Sequence, residues 1–283
     1  MTGEESDAAT PGGGAPAAFD TTVAHIARVY NYWLGGKDNF AADRAAGDGA
    51  IKAFPEIPLS ARANRAFLAR AVRFLASEVG IRQFLDIGTG IPSANNTHEV
   101  AQWVAPESRI VYVDNDPVVL THARALLTSN PAGATDYIDA DLRHPLQILE
   151  GAARTLDFER PVAVMLMAIL QHVSDDEDPY QVVATLRDAL PPGSYLALSH
   201  PARDIDAEAM AKMAQVLNQM MAEKVTFRDH DAVARLFDGL ELVEPYTGAG
   251  PAVTHVGLWG AEDPAAADTD DSRWLYCGVA RRP

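Results

Sequence analysis

The chain has a single cysteine, Cys277, so it cannot form an internal disulfide. That cysteine lies in an apolar, strand-like run near the C-terminus, where buried packing rather than nucleophilic chemistry is expected. Basic residues are scarce: Lys and Arg total 23 against 39 Asp and Glu, a formal net charge of −16. Such an acidic surface repels phosphate backbones and anionic lipid, so neither nucleic acid nor membrane is an expected partner. Long apolar runs are missing as well. The longest, Val162 to Leu170, is far too short to cross a bilayer. Met1 to Asp7 is acidic and lacks the basic and apolar regions of a signal peptide, so a soluble, cytoplasmic protein is expected. The histidines are scattered without zinc-like spacing. Asp114-Asn115-Asp116 opens like a calcium loop, but no glycine or closing glutamate follows where one is required. Asp175 to Asp178 falls between a strand and a helix and reads as a solvated loop and helix start. No metal site is expected.

What is present is an ordinary globular composition: 283 residues, 48% hydrophobic and 22% charged, enough for a sizeable core. Residues 1–18 are rich in Gly, Pro, Ala and acid and have no periodicity, so a disordered tail is expected. Residues 19–80 read as a helical cap. Thr21 and Thr22 can cap a helix carrying Val23, Ile26, Ala27, Tyr30 and Leu34 at helical spacing, ending at Gly35-Gly36. A turn, Lys37 to Phe40, leads into an Ala-rich helix reaching Lys52. After Pro55 and Pro58, Ser60 is expected to cap an amphipathic helix with Phe67, Leu68, Ala71, Val72 and Leu75 inside and Arg62, Arg65, Arg70 and Arg73 on its other sides.

Residues 81–283 alternate between strands and helices. Strands are expected at 82–87, 109–114, 135–138, 162–167 and 195–199, with helices between them, the first from Pro92 to Val104. A Met-rich helix at 207–222 reads as core filler. Two more strands, 240–243 and 274–280, close the chain. This alternation demands right-handed crossovers and a mainly parallel sheet covered on both faces.

Ligands of such sheets bind outside the carboxyl ends of the strands, and three features converge there. Asp86-Ile87-Gly88-Thr89-Gly90 ends the first strand in a glycine-rich turn that lets backbone approach a ligand. Asp114 ends the second strand, where a carboxylate can accept hydrogen bonds from ribose hydroxyls. Asp141 follows the third, where it can receive an exocyclic adenine amine.

With these residues in that order, the sequence resembles the class I S-adenosylmethionine (SAM)-dependent methyltransferases. More narrowly it resembles the bacterial S-adenosyl methyltransferase family, formerly classed as a domain of unknown function. The narrower likeness rests on Ala27 to Phe40, on Asn95 to Val100 and on Val113-Asp114-Asn115-Asp116-Pro117. It implies an α/β, Rossmann-like fold with a seven-stranded, mainly parallel sheet, helices on both faces and an N-terminal helical extension. It also implies SAM as cofactor and S-adenosylhomocysteine (SAH) as product. The cofactor contacts it suggests are Asp86, Gly88, Thr89, Gly90, Asp114, Asn115, Asp141, Leu142 and Ala168.

The Asn/Asp-Pro-Pro-aromatic motif of many methyltransferases acting on amide or base nitrogens is missing after the fourth strand. That position reads Met167-Ala168-Ile169-Leu170-Gln171-His172, which tilts the expectation toward a small-molecule acceptor. His172 is its one titratable group and a candidate general base. Tyr30, Trp33, Lys37, Asn39 and Phe40, at a helix end and glycine turn, are candidates for a lid or acceptor pocket; packing of the cap onto the sheet is the plain alternative. Two rival readings stay open: a non-catalytic SAM-binding or regulatory protein, and an NAD-linked oxidoreductase using Gly88, Gly90 and Ser93.

Overall fold

The computed structural model describes residues 20–126 and 129–283. The tail expected over residues 1–18 lies outside them. Three helices come first, α1 (Ile26–Trp33), α2 (Ala41–Ala53) and α3 (Ile57–Phe74). Then β1 (Gln83–Ile87), α4 (Thr97–Val104), β2 (Arg109–Asp114), α5 (Pro117–Leu126) and β3 (Ala134–Asp139) alternate. The pattern continues through α6 (Pro145–Ala152), β4 (Ala163–Met167), α7 (Pro179–Asp188), β5 (Tyr195–Pro201), α8 (Ala207–Met220) and α9 (His230–Ala234). It closes with β6 (Glu241–Leu242), β7 (Thr254–His255), α10 (Pro264–Ala267) and β8 (Leu275–Arg281).

The strands form one sheet in the order β3-β2-β1-β4-β5-β8-β6, with β7 also paired to β8. The first five strands are mutually parallel; β8 runs antiparallel to β5. The sheet therefore has eight strands, not seven. The additional strand is Thr254–His255, two residues paired with Cys277 and Tyr276. A segment that short carries no alternation a sequence pattern can show.

Every residue of β1 is buried, as expected for a central parallel strand covered on both faces. Its side chains alternate. Leu85 and Ile87 join Val111, Val113, Val164 and Leu166 in one core. Phe84 joins Ile110, Tyr112 and Met165 against Phe67, Leu68 and Val72 of α3. Cys277 is fully buried in this second core, and burial raises its thiol well above the ordinary range. A third core holds α1, α2 and α8 together through Val29, Trp33, Ala50, Met210, Met213 and Leu217. Packing thus splits the helical prelude: α3 belongs to the sheet layer, whereas α1 and α2 pair with α8. Arg28 and Asp43, an ion pair at 3.2 Å with both partners buried, tie α1 to α2.

Helix starts differ from expectation where local capping chemistry decides. The α1 N-cap is His25 rather than Thr21 or Thr22. Helix α3 starts at Ile57 with Pro58 in its first turn, so Ser60 lies inside the helix and is buried. Helix α4 starts at Thr97, not Pro92, because Asn96 and Glu99 form a capping box. The residues freed between Gly88 and Asn96 become a loop along the carboxyl edge of the sheet.

Candidate functional site

Where β1 lies between β2 and β4, successive crossovers leave in opposite directions and a cleft opens at the strand ends. It encloses about 930 Å³, including its open mouth. Gly88 and Gly90 take φ of 74° and 66°, the left-handed region that favours glycine. A Cβ on Gly88 would stand 2.4 Å from Ile169, so only glycine fits; at Gly90 a Cβ would meet open space. The Gly90 N–H donates to Asp114 at 2.8 Å, and the Asp116 N–H donates to its other oxygen at 2.9 Å. These bonds aim the carboxylate, which is 7% exposed.

Asp86 is buried and accepts the Thr97 hydroxyl at 2.6 Å. Burial pushes Asp86 and Asp114 each up to about 6. Asp141 behaves differently. Burial acts to raise it, but Arg143, donating to both oxygens at 2.8 and 2.7 Å, outweighs burial and holds it below the usual carboxylate range. Asn115 adds a bond to Asp141 at 3.3 Å.

All of the residues expected from the glycine turn to Ala168 line this one cleft: Asp86, Gly88, Thr89, Gly90, Asp114, Asn115, Asp141, Leu142 and Ala168. His172 lines it too. Burial depresses the His172 imidazole to about 4, and its Nδ1 has no hydrogen-bond partner. Ala168 holds φ of 51°, a conformation a non-glycine residue adopts at a cost of about 1–3 kcal/mol. Its N–H is fixed by the Ser199 hydroxyl at 3.1 Å, which donates in turn to Asn64 at 2.6 Å.

The lining also contains residues that carried no signal in the sequence: His25, Asn64, Arg65, Arg143 and Glu223. His25 pairs with Asp116 at 2.9 Å. Although burial works against it, bonding to Asp116 raises the imidazole above its ordinary value. Arg65, expected among the outer residues of α3, instead reaches the loop after β1, donating to the Ala94 and Asn95 carbonyls. Its Nε has no partner.

A second cavity adjoins the first, enclosing about 610 Å³ with its mouth. Ile26, Tyr30 and Ala168 line both. Its walls come mainly from α1, α3 and α8, with Phe54, just after α2, and Trp274, just before β8, joining Trp33, Met210, Met213 and Leu217. The Met-rich helix, expected to be core filler, thus both packs a core and walls a cavity. Tyr30 stands at the junction, donating to the Ala61 carbonyl and accepting from Asn64, each at 3.1 Å. The other prelude candidates part company. Trp33 lines the second cavity, whereas Lys37, Asn39 and Phe40 line neither. Asn39 is turned onto its own loop, donating to Asn31 and the Gly36 carbonyl at 3.0 Å each, and Arg28 lies over the Phe40 ring. Among the described residues no cluster of His, Cys, Asp or Glu could hold a metal ion, and no helix is long and apolar enough to cross a membrane.

Comparison with known proteins agrees with this geometry. Residues 13–283 match the model of the S-adenosyl methyltransferase family. A DUF574-family protein from Streptomyces avermitilis is 45% identical, with a TM-score of 0.86 over 93% of this chain and 99% of its own. A candidate methyltransferase from Thermobifida fusca is 43% identical, with a TM-score of 0.83 over 93% of this chain and 96% of its own. A SAM-dependent methyltransferase from Anabaena variabilis shares the fold at 11% identity, with a TM-score of 0.51 over 94% and 99% of the two chains. No curated protein matches the chain. The chain belongs to the S-adenosyl methyltransferase family and is a SAM-dependent methyltransferase with the Rossmann-like class I fold.

Proposed function

We propose that the polar cleft holds SAM and that the adjoining apolar cavity receives a small-molecule methyl acceptor. The observation that carries this reading is that the two cavities share only Ile26, Tyr30 and Ala168, so a donor in one and an acceptor in the other meet there. The cleft's chemistry fits the cofactor. Its Asp, Glu and carbonyl oxygens suit ribose hydroxyls and an adenine amine. Asp86 and Asp114, buried with no Arg or Lys bonded to either, leave negative potential that suits a sulfonium cation.

When bound, SAM supplies a methyl group already activated on sulfur. The protein's task is then to orient, desolvate and remove a proton. Asp114, fixed by the Gly90 and Asp116 N–H groups, takes the ribose, and Asp141 with Leu142 flanks the base. Ala168, strained and pinned by Ser199, presents its carbonyl edge at the junction. His172 is uncharged at neutral pH, which leaves the imidazole able to take the acceptor's proton. Helix α1, with Ile26 and Tyr30 in both linings, covers the meeting point and excludes water.

Calorimetric titration with SAH and with NAD tests the reading. SAH is expected to bind and NAD not. Asp114→Ala removes charge-assisted bonds worth about 1.5–3 kcal/mol and weakens SAH by roughly tenfold or more. Tight NAD binding, or unchanged SAH affinity in the variant, contradicts it.

A further inference from the structure

We infer that the apolar cavity selects an uncharged, largely hydrocarbon acceptor carrying one hydroxyl or amine, and that Gln171 recognises that group. The inference rests on the reading that the neighbouring cleft holds SAM. Its first support is what the cavity lining excludes. No Asp, Glu, Lys, Arg or His lines it, although the adjoining cleft has several of each sign. An amino acid, nucleotide or phosphate ester entering this cavity would lose hydration with nothing to replace it. An apolar body meets Met210, Met213, Leu217, Phe54 and Phe227 instead, and flexible methionines adapt to its outline.

The second support is the state of the polar atoms. Tyr30 and Ser60 already donate to the Ala61 and Asp271 carbonyls. Gln171 Oε1 and Trp274 Nε1 are buried without partners. One is an acceptor without a donor and the other a donor without an acceptor, and both residues line the cavity. Gln171 is the one next to the junction, because its Nε2 donates to the Ala168 carbonyl at 2.6 Å. That bond fixes which end of the amide is free. A hydroxyl or amine hydrogen taken up by Oε1 is therefore held beside the meeting point, while Trp274 Nε1 offers a bond to a lone pair elsewhere on the ligand.

Three probes of one shape separate the possibilities: 2-naphthol, naphthalene and naphthalene-2-sulfonate. Each is titrated into the SAH-saturated protein by calorimetry, after SAH binding itself has been measured. The neutral pair is expected to bind, with the sulfonate weaker by about a hundredfold or more. Naphthol should exceed naphthalene by roughly fivefold, the worth of one neutral hydrogen bond. Gln171→Leu should erase that ratio while naphthalene still binds, a readout that a general loss of stability does not mimic. Met213→Trp, which fills the cavity, should abolish binding of both. Sulfonate binding as tightly as naphthol, a ratio unchanged in Gln171→Leu, or no binding of the neutral pair overturns the inference. Should SAH itself fail to bind, the cofactor reading falls; the same titrations on the free protein then decide the selectivity of the cavity separately.

Discussion

The polar cleft and the apolar cavity touch at Tyr30 and Ala168 but are made from opposite materials. The cleft is built on strand ends, and its carboxylates are aimed by fixed donors: the Gly90 and Asp116 N–H groups on Asp114, and the Arg143 N–H and guanidinium on Asp141. The cavity is built largely on the helices α1, α3 and α8, and its walls are side chains with no charge to aim. A site that must hold one fixed molecule is assembled from rigid, directional groups. A site shaped for a hydrocarbon surface is assembled from adaptable ones. Acceptor choice can thus change by substituting cavity residues on α1 and α8 while the strand ends stay as they are.

The largest expected effect falls on the cleft side of the junction. His172→Ala is expected to lower turnover by about a hundredfold or more with SAH affinity close to wild type, because the imidazole is assigned the proton rather than the cofactor. Single-turnover assays beside calorimetry check this; equal turnover in the two proteins removes His172 from the chemistry.

The next effect sets the two regions apart by pH. Asp86 and Asp114 are raised to about 6 in the folded protein, above their unfolded values. Between the unfolded value and about 6 the folded state holds protons the unfolded chain does not, so their contribution to stability grows as pH falls through 6. SAH binding needs the Asp114 carboxylate and should weaken over the same range, approaching about tenfold per pH unit per group. Asp114→Asn should flatten the SAH trend and reduce the stability trend to the share of Asp86. Binding of 2-naphthol in the uncharged cavity should not change between pH 5 and 7, by calorimetry. A parallel decline of naphthol and SAH breaks the comparison.

A smaller effect is read in stability. Leu166 is fully buried in the sheet core, whereas Leu217 lines the cavity. Leu166→Ala is expected to cost about 2–5 kcal/mol, and Leu217→Ala a value at or below the bottom of that range, because Leu217 borders the cavity as well as the core. Urea denaturation of both variants measures the difference; equal costs would make the cavity ordinary core.

The same contrast explains what could be read in advance. Asp86 to Gly90 brings strand, acid and turn within one short segment, so the cleft announces itself locally; Asp114 and Asp141 then follow at the next two strand ends. The cavity has no such segment. Trp33, Phe54, Gln171, Met213 and Trp274 come from five separate stretches of chain, and each alone reads as packing. Met213 is both, a core side chain and a wall, which helical spacing cannot distinguish. His25 and Glu223 were silent for the same reason: they reach the cleft only because α1 and α8 fold back across it. Lys37, Asn39 and Phe40 line neither cavity, and Asn39 bonds within its own loop. The eighth strand and the late start of α4 were hidden by scale, since two paired residues and one capping box leave no periodic trace.

The separateness of the two regions is the central claim, and a crossed titration tests it most directly. SAH and 2-naphthol are each titrated by calorimetry into wild type, Asp114→Ala and Met213→Trp. The account predicts that Asp114→Ala weakens SAH by roughly tenfold or more while naphthol binds as before, and that Met213→Trp abolishes naphthol binding while SAH binds as before. If either substitution weakens both ligands alike, the cleft and the cavity are one site and the account is wrong.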